Sequence, residues 1–247
     1  MKRAAAAQPD VATLFIAASE LDSNLYYATK FVAPDPFIYM EVKGERILVM
    51  SDLEMDRAKS QASVDRVLSY SELEKKAKSN GTKEPSTVDI VHVILREAKI
   101  RQLLVPANFP FIHATRLQEL GYSMKPKRDP FYERRVVKTA EEVRCIEAAQ
   151  RATEEAVAAA HATLKQTTIR GGELWLDGEV LTSERIKKLI NVKLMERDCV
   201  AQHTIVAGGE QACDPHHEGT GPLPAHRSII FDVFPKSANS PYFADMS

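Results

Sequence analysis

The sequence predicts an α/β protein with two domains. Up to residue 124, short apolar runs alternate with amphipathic stretches, which is typical of a mixed sheet flanked by helices. Residues 125–138 are mostly polar and include two prolines, which indicates a linker. An alanine-rich stretch then predicts a long helix at the start of a second domain, residues 139–247. The chain of 247 residues is long enough for two domains of ordinary size.

Charge and cysteine content argue against several classes of protein. Lys and Arg number 33 against 34 Asp and Glu, so the net charge of −1 gives no electrostatic basis for binding nucleic acid or an anionic membrane. The three cysteines form no C-x-x-C pair, which favours reduced thiols over a disulfide framework or a structural zinc site. Residues 1–10 lack the apolar core of a signal peptide, and no apolar run is long enough to span a bilayer. We therefore expect a cytoplasmic protein.

The first elements of the amino-terminal domain follow from short local patterns. Residues 11–18 are apolar and predict a buried strand. Residues 22–24 form a cap-like turn before an aromatic stretch. Two apolar runs, 37–42 and 46–50, flank a short loop that contains glycine, and this arrangement predicts a β-hairpin.

The rest of this domain alternates helices with a strand. Residues 52–79 are polar with an intermittent apolar stripe, which predicts helix. A second helix begins at Ser86, where Asp89 completes a capping box. Residues 100–105 predict a strand, and residues 111–120 predict a third helix. These elements complete the mixed sheet with its flanking helices.

The second domain has two predicted helices and two predicted strands. Thr139 and Glu142 form a capping box at the start of the long helix. A second amphipathic helix is predicted over Ser183–Met195. Residues 204–207 and 228–234 are apolar enough for strands.

Two aspartates interrupt apolar sequence near the end of the chain. Asp232 lies within the strand at 228–234, and Asp245 follows Tyr242-Phe243-Ala244. The polar stretch between them predicts a hairpin that brings both carboxylates to one region. Two buried carboxylates repel each other unless a cation or a hydrogen-bond donor offsets their charge. The aspartates therefore predict a cation site, although a strand-end carboxylate and a turn residue remain alternatives.

A tight turn upstream carries two histidines. The run Asp214-Pro215-His216-His217-Glu218-Gly219 places metal-ligand or proton-transfer groups in one short segment. Two adjacent histidines at a protein surface are the alternative.

Taken together, these segments resemble the pita-bread metallopeptidases. The family includes methionine aminopeptidase, the Xaa-Pro aminopeptidases, the prolidases and the non-metal relative creatinase. The matching segments are Arg135–Thr139 with Glu142, Pro215-His216, Ile230–Pro235 and Tyr242–Ser247. The first 124 residues are similar to the amino-terminal domain of the proline-specific and creatinase branch. The resemblance implies a creatinase-like first domain, followed by a pita-bread domain with helices packed on a curved antiparallel sheet.

The resemblance also implies a chemistry. Asp232 would chelate one of two divalent ions (Mn, Co or Zn), and Asp245 would bridge both. His216 would lie beside the metal pair and hydrogen-bond the substrate or the reaction intermediate. A hydroxide shared by the two ions would attack the scissile carbonyl. The implied substrate is a peptide with proline near its amino terminus. A homodimer is among the expected partners.

One feature departs from the family pattern. The sequence ends at Ser247, inside a motif that normally continues, so it carries two of the five protein ligands that the family uses. We therefore expect an incomplete pita-bread domain and a chain that is inactive alone. Two alternatives stay open at this point. The first is a non-catalytic interaction or scaffold protein of the same fold, and the second is a metal-free hydrolase of the creatinase type.

Overall fold

A computed structural model describes residues 11–247 of the chain. The prediction about a signal peptide concerns residues 1–10, which lie outside this range. The chain forms two compact units, one ending at Val136 and the other comprising Val137–Ser247. None of the helices within residues 11–247 is long and apolar enough to cross a membrane.

A six-stranded mixed sheet forms the centre of the first unit. Its strands are β1 (Val11–Ala17), β2 (Phe37–Val42), β3 (Glu45–Met50), β4 (Arg66–Ser69), β5 (Gln102–Pro106) and β6 (Ser123–Lys127). They lie in the order β4-β3-β2-β1-β5-β6. Strands β1, β2 and β3 pair antiparallel, whereas the β3–β4, β1–β5 and β5–β6 pairs are parallel. The mixed sheet predicted from the sequence is confirmed, and so is the hairpin of β2 and β3.

Five helices accompany this sheet. They are α1 (Ser23–Thr29), α2 (Met55–Gln61), α3 (Tyr70–Ser79), α4 (Thr87–Ala98) and α5 (Phe111–Glu119). Side chains alternate between the two faces of each strand, so the sheet has a core on both sides. On β1, Leu14 joins the cluster formed with α4, while Phe15 joins a second cluster that contains Phe131.

Two segments of this unit differ from the sequence prediction. Residues 52–79, expected to be helical throughout, contain the edge strand β4 between α2 and α3. Val67 and Leu68 pair with β3, so part of the apolar stripe belongs to a sheet and not to a helix face. The expected linker at 125–138 also contains structure. Strand β6 continues to Lys127, a 3₁₀ helix spans Glu133–Val136, and Phe131 between them is buried.

The second unit pairs two helices with several short strands. The helices are α6 (Ala140–Lys165) and α7 (Ser183–Met195), and both were predicted. The strands are β7 (Thr168–Arg170), β8 (Glu173–Leu176), β9 (Glu179–Val180), β10 (Cys199–Val200), β11 (Ile205–Gly208), β12 (Ile229–Asp232) and β13 (Lys236–Ser237). The three-stranded sheet of β7, β8 and β9 was not predicted. β11 pairs antiparallel with β12, as β10 does with β13.

Small side chains allow α6 and α7 to pack closely. On α6, Ala149, Ala152, Ala156 and Ala160 are buried. They share one core cluster with Ile186, Ile190 and Leu194 of α7. Val206 of β11 and Val233, directly after β12, complete this cluster. The strands that carry the candidate site are therefore supported from behind by both helices.

Candidate functional site

The chain after β12 turns back on itself as a hairpin. Val233 and Met246 exchange both backbone hydrogen bonds, at 3.0 and 3.1 Å. The amide of Ala244 donates to the carbonyl of Pro235 at 3.0 Å, and Lys236 forms a bridge with Phe243. These contacts confirm the hairpin that the sequence predicts between the two aspartates.

The register of the hairpin places both aspartates on one face. Since Val233 lies opposite Met246, Asp245 lies opposite Phe234, two positions along the strand from Asp232. Diagonal neighbours of this kind are about 7–8 Å apart, within reach of a shared ion. Asp232 is partly buried and Asp245 is exposed. Burial, and then the charge of Asp245, raise the pKa of Asp232.

A small cavity lies on the same face as Asp232. It measures about 190 Å³ and is lined by Ile205, Ala207, Ala212, Asp214, Pro215, Ile230, Asp232 and Ser247. Asp232 lies opposite Ile205, and Ile230 lies opposite Ala207, so one face of the β11–β12 pair forms a wall. The cavity therefore combines the carboxylates of Asp214 and Asp232 with apolar side chains of the strand pair.

The two histidines occupy different positions in the turn after the 3₁₀ helix Gly209–Cys213. The carboxylate of Asp214 accepts a hydrogen bond from the amide of His216 at 3.0 Å, and the His216 residue is exposed. The Nδ1 atom of His217 accepts the amide of Gly219 at 3.0 Å, so His217 shapes the turn. Pro215, next to His216, lines the cavity beside Asp232.

A carboxylate that the sequence analysis did not single out holds this turn from α7. The Glu184 carboxylate accepts hydrogen bonds from the hydroxyl of Thr220 at 2.7 Å and from the amide of Gly221 at 3.0 Å. The Thr220 hydroxyl, followed by the amide groups of Glu184 and Gly221, lowers the pKa of Glu184 from 4.5 to about 2. The only sequence signal for Glu184 is its place in the first turn of a helix, which many acidic residues share.

The side chains at hand fit part of a cation site. Asp232 and Asp245 supply carboxylate oxygens, which divalent ions bind readily, and a cation between them would relieve their repulsion. Across residues 11–247, no group of three His, Cys, Asp or Glu side chains is arranged to hold a metal ion. The roles assigned to Asp232, Asp245 and His216 stay predictions.

Comparison with solved structures identifies the fold. The prolidase from Pyrococcus furiosus superimposes with a TM-score of 0.70 at 15% identity, over 95% of this chain and 63% of that one. The X-Pro aminopeptidase from Thermotoga maritima MSB8 gives 0.73 at 18% identity, over 96% of this chain and 61% of that one. The Xaa-Pro dipeptidase from Bacillus anthracis gives 0.74 at 13% identity, over 95% and 58%. The chain has the fold of these peptidases.

The prolidase fold confirms the predicted class, a mixed-sheet α/β domain followed by pita-bread structure. This chain spans about 60% of the length of the prolidase and aminopeptidase structures that it matches. No protein-family model and no curated protein match the sequence. The likeness thus rests on three-dimensional structure, at identities that establish the fold alone.

Proposed function

We propose that this chain belongs to a metal-dependent Xaa-Pro aminopeptidase or dipeptidase. One observation carries the proposal. The hairpin after β12 places Asp232 and Asp245 on one face, beside a cavity, in a chain with the prolidase fold. Two carboxylates on neighbouring strands are a typical arrangement for holding divalent ions between them.

In this proposal each residue has a defined task. Asp232 and Asp245 hold two divalent ions such as Mn, Co or Zn. Ions of this kind activate water for attack on a carbonyl and stabilise the negative charge that develops on its oxygen. His216 hydrogen-bonds the substrate, and the apolar wall of the cavity packs against a substrate side chain. The substrate is a peptide with proline near its amino terminus.

This chain on its own is expected to bind metal weakly and to turn over little substrate. Two carboxylates leave most coordination positions of a divalent ion to water, and such sites bind weakly. A homodimer and a cytoplasmic location are part of the proposal. The three free cysteines agree with a reducing compartment.

The metal part of the proposal is testable on this chain. Titration calorimetry with Mn²⁺ should give measurable binding to the wild-type protein, and Asp232→Asn or Asp245→Asn should weaken it at least about tenfold. Asp177→Asn is the matched control, because Asp177 is an exposed aspartate paired with Arg185 away from the hairpin. Equal Mn²⁺ affinity in all four proteins would overturn the assignment of the ligands.

The activity is tested on the protein purified from its natural source. We expect release of the amino-terminal residue from Xaa-Pro peptides, dependent on added Mn²⁺ or Co²⁺ and abolished by a chelator. Failure to cleave any Xaa-Pro peptide with metal present would favour an interaction protein of the same fold. Cleavage that survives the chelator would favour metal-free hydrolysis.

A further inference from the structure

The turn that carries His216 is held by α7. Glu184, in the first turn of that helix, accepts the side-chain hydroxyl of Thr220 and, through both carboxylate oxygens, the amide of Gly221 at 3.0 and 3.2 Å. Lys187, one turn further on, donates to the carbonyl of Gly219 at 2.8 Å. Hydrogen bonds to charged groups are stronger than neutral ones, so two charged side chains of one helix fix three consecutive residues.

Two further contacts hold the same segment in place. The side chain of Gln211 makes two hydrogen bonds with the backbone of Thr220. It accepts one from the amide and donates one to the carbonyl, each at 3.0 Å. The amide of Val206 on β11 donates to the carbonyl of Glu218 at 3.1 Å. The segment 218–221 is therefore attached to α7, to the 3₁₀ helix and to β11. It adjoins His216, which precedes it by two residues.

Close packing leaves this segment little freedom. Gly219 has a positive φ of 80°, and a Cβ atom there would collide with the carbonyl of Val206 and the hydroxyl of Ser183. Val206 lies on β11, the strand that pairs with β12 and so with Asp232. The backbone beside His216 is thus in contact with the strand pair that carries the candidate metal ligand.

We propose that Glu184 is a positioning residue, whose carboxylate holds Thr220 and Gly221 and thereby fixes His216 relative to the cavity beside Asp232. The assignment of His216 as the substrate-binding residue rests on the function proposed above. Glu184 itself touches neither substrate nor metal. It acts through the turn, and Glu184→Ala should release the turn while α7 and the core behind it stay folded.

Hydrogen exchange measures this effect without any turnover. In Glu184→Ala, the amides of residues 216–221 should exchange about tenfold faster or more, and the ring resonances of His216 should shift. Glu184→Gln keeps an acceptor oxygen and should restore most of the protection. Glu196→Ala is the control, because Glu196 is an exposed glutamate at the other end of α7, paired with Lys193.

Two outcomes would contradict the proposal. Unchanged exchange over 216–221 in a folded Glu184→Ala protein would show that the carboxylate does not hold the turn. An equal rise in exchange across α6 and α7 would show a purely structural role. If Glu184→Ala does not fold, Thr220→Val takes its place, because it removes the hydroxyl that donates to Glu184. It should produce the same local rise in hydrogen exchange, with a smaller magnitude.

Kinetics on the active protein separate this proposal from the proposed function. Glu184→Ala should raise KM for an Xaa-Pro peptide and lower kcat by no more than about twofold, because what is lost is the placement of the substrate-binding His216. Metal-dependent turnover that Glu184→Ala leaves unchanged would overturn the positioning role alone. If the wild type and every variant lack turnover, while Glu184→Ala still exchanges faster over 216–221, the peptidase assignment is overturned. The conclusion that Glu184 positions the turn is then unaffected.

Discussion

At the scale of single residues, Gly219 is where the turn tolerates least change. Its φ is +80°, and an added Cβ would meet backbone and side-chain atoms of Val206 and Ser183. Gly219→Ala should lower the free energy of unfolding by about 2–5 kcal/mol, since left-handed backbone costs about 1–2 kcal/mol and overpacking about 1–3 kcal/mol. Urea unfolding followed by circular dichroism measures this.

A matched glycine separates the two causes. Gly178 has nearly the same φ, +83°, but no atom lies within 4 Å of its built Cβ. Gly178→Ala should therefore cost only the backbone strain, about 1–2 kcal/mol. Equal losses for the two variants would show that contact with Val206 and Ser183 contributes nothing.

Single residues also show where sequence reasoning succeeds and where it stops. Asp232 and Asp245 stand out because each interrupts an apolar run, and a hairpin is the simplest way to join two such runs. Glu184 gives no such signal, since its partner Thr220 lies 36 positions away in the chain. His216 and His217 are alike in sequence, and the structure distinguishes them by exposure and by the hydrogen bond from the amide of Gly219 to His217.

At the scale of elements, one buried carboxylate joins the start of α6 to the hairpin. Glu142 completes the capping box, accepting the amide of Thr139 at 2.9 Å, and its other oxygen accepts the hydroxyl of Tyr242 at 2.9 Å. Tyr242→Phe leaves a buried carboxylate with one donor fewer, so stability should fall by about 1–3 kcal/mol. Thermal unfolding of the variant measures the loss.

The cap itself provides the comparison. Thr139→Ala removes the side-chain oxygen that accepts the amide of Glu142 and should cost about 1 kcal/mol. The Tyr242→Phe protein should also show faster hydrogen exchange in the hairpin strands 233–237 and 242–246, which Thr139→Ala should leave largely unchanged. A Tyr242→Phe protein as stable as the wild type would mean that Glu142 does not stabilise the hairpin.

The sequence predicts best those elements whose sequence signals lie close together in the chain. The capping boxes at Ser86 and Thr139 lie within four residues each, and both form as expected. Strand β4 has four residues and pairs with β3 at the sheet edge, and its two apolar residues fit the stripe of a helix equally well. The sheet of β7, β8 and β9 has strands of two to four residues, too short for a clear alternating pattern.

At the scale of the whole molecule, the side chains most useful as chemical and spectroscopic probes lie in the second unit. All three cysteines and the one tryptophan lie in the unit Val137–Ser247. Cys213 is exposed, whereas Cys199 is 3% exposed and belongs to the core formed with α6 and α7. Burial, and then the charge of Asp198, raise the pKa of Cys199, so its reactive thiolate is scarce. Labelling of Cys199 therefore reports the opening of this unit.

Labelling by iodoacetamide, followed by mass spectrometry, should modify Cys213 quickly and Cys199 only as the unit opens, at a rate that rises with urea.

A cation that binds only the folded unit stabilises it by mass action. Mn²⁺ at ten times its dissociation constant should slow the labelling of Cys199 by about tenfold and leave that of Cys213 nearly unchanged. Asp232→Asn should reduce this protection to about twofold or less, because it weakens Mn²⁺ binding at least about tenfold and leaves the core around Cys199 in place. If Mn²⁺ still protects Cys199 in Asp232→Asn, the ion binds elsewhere in the unit. The metal chemistry proposed for the hairpin would then also lie elsewhere.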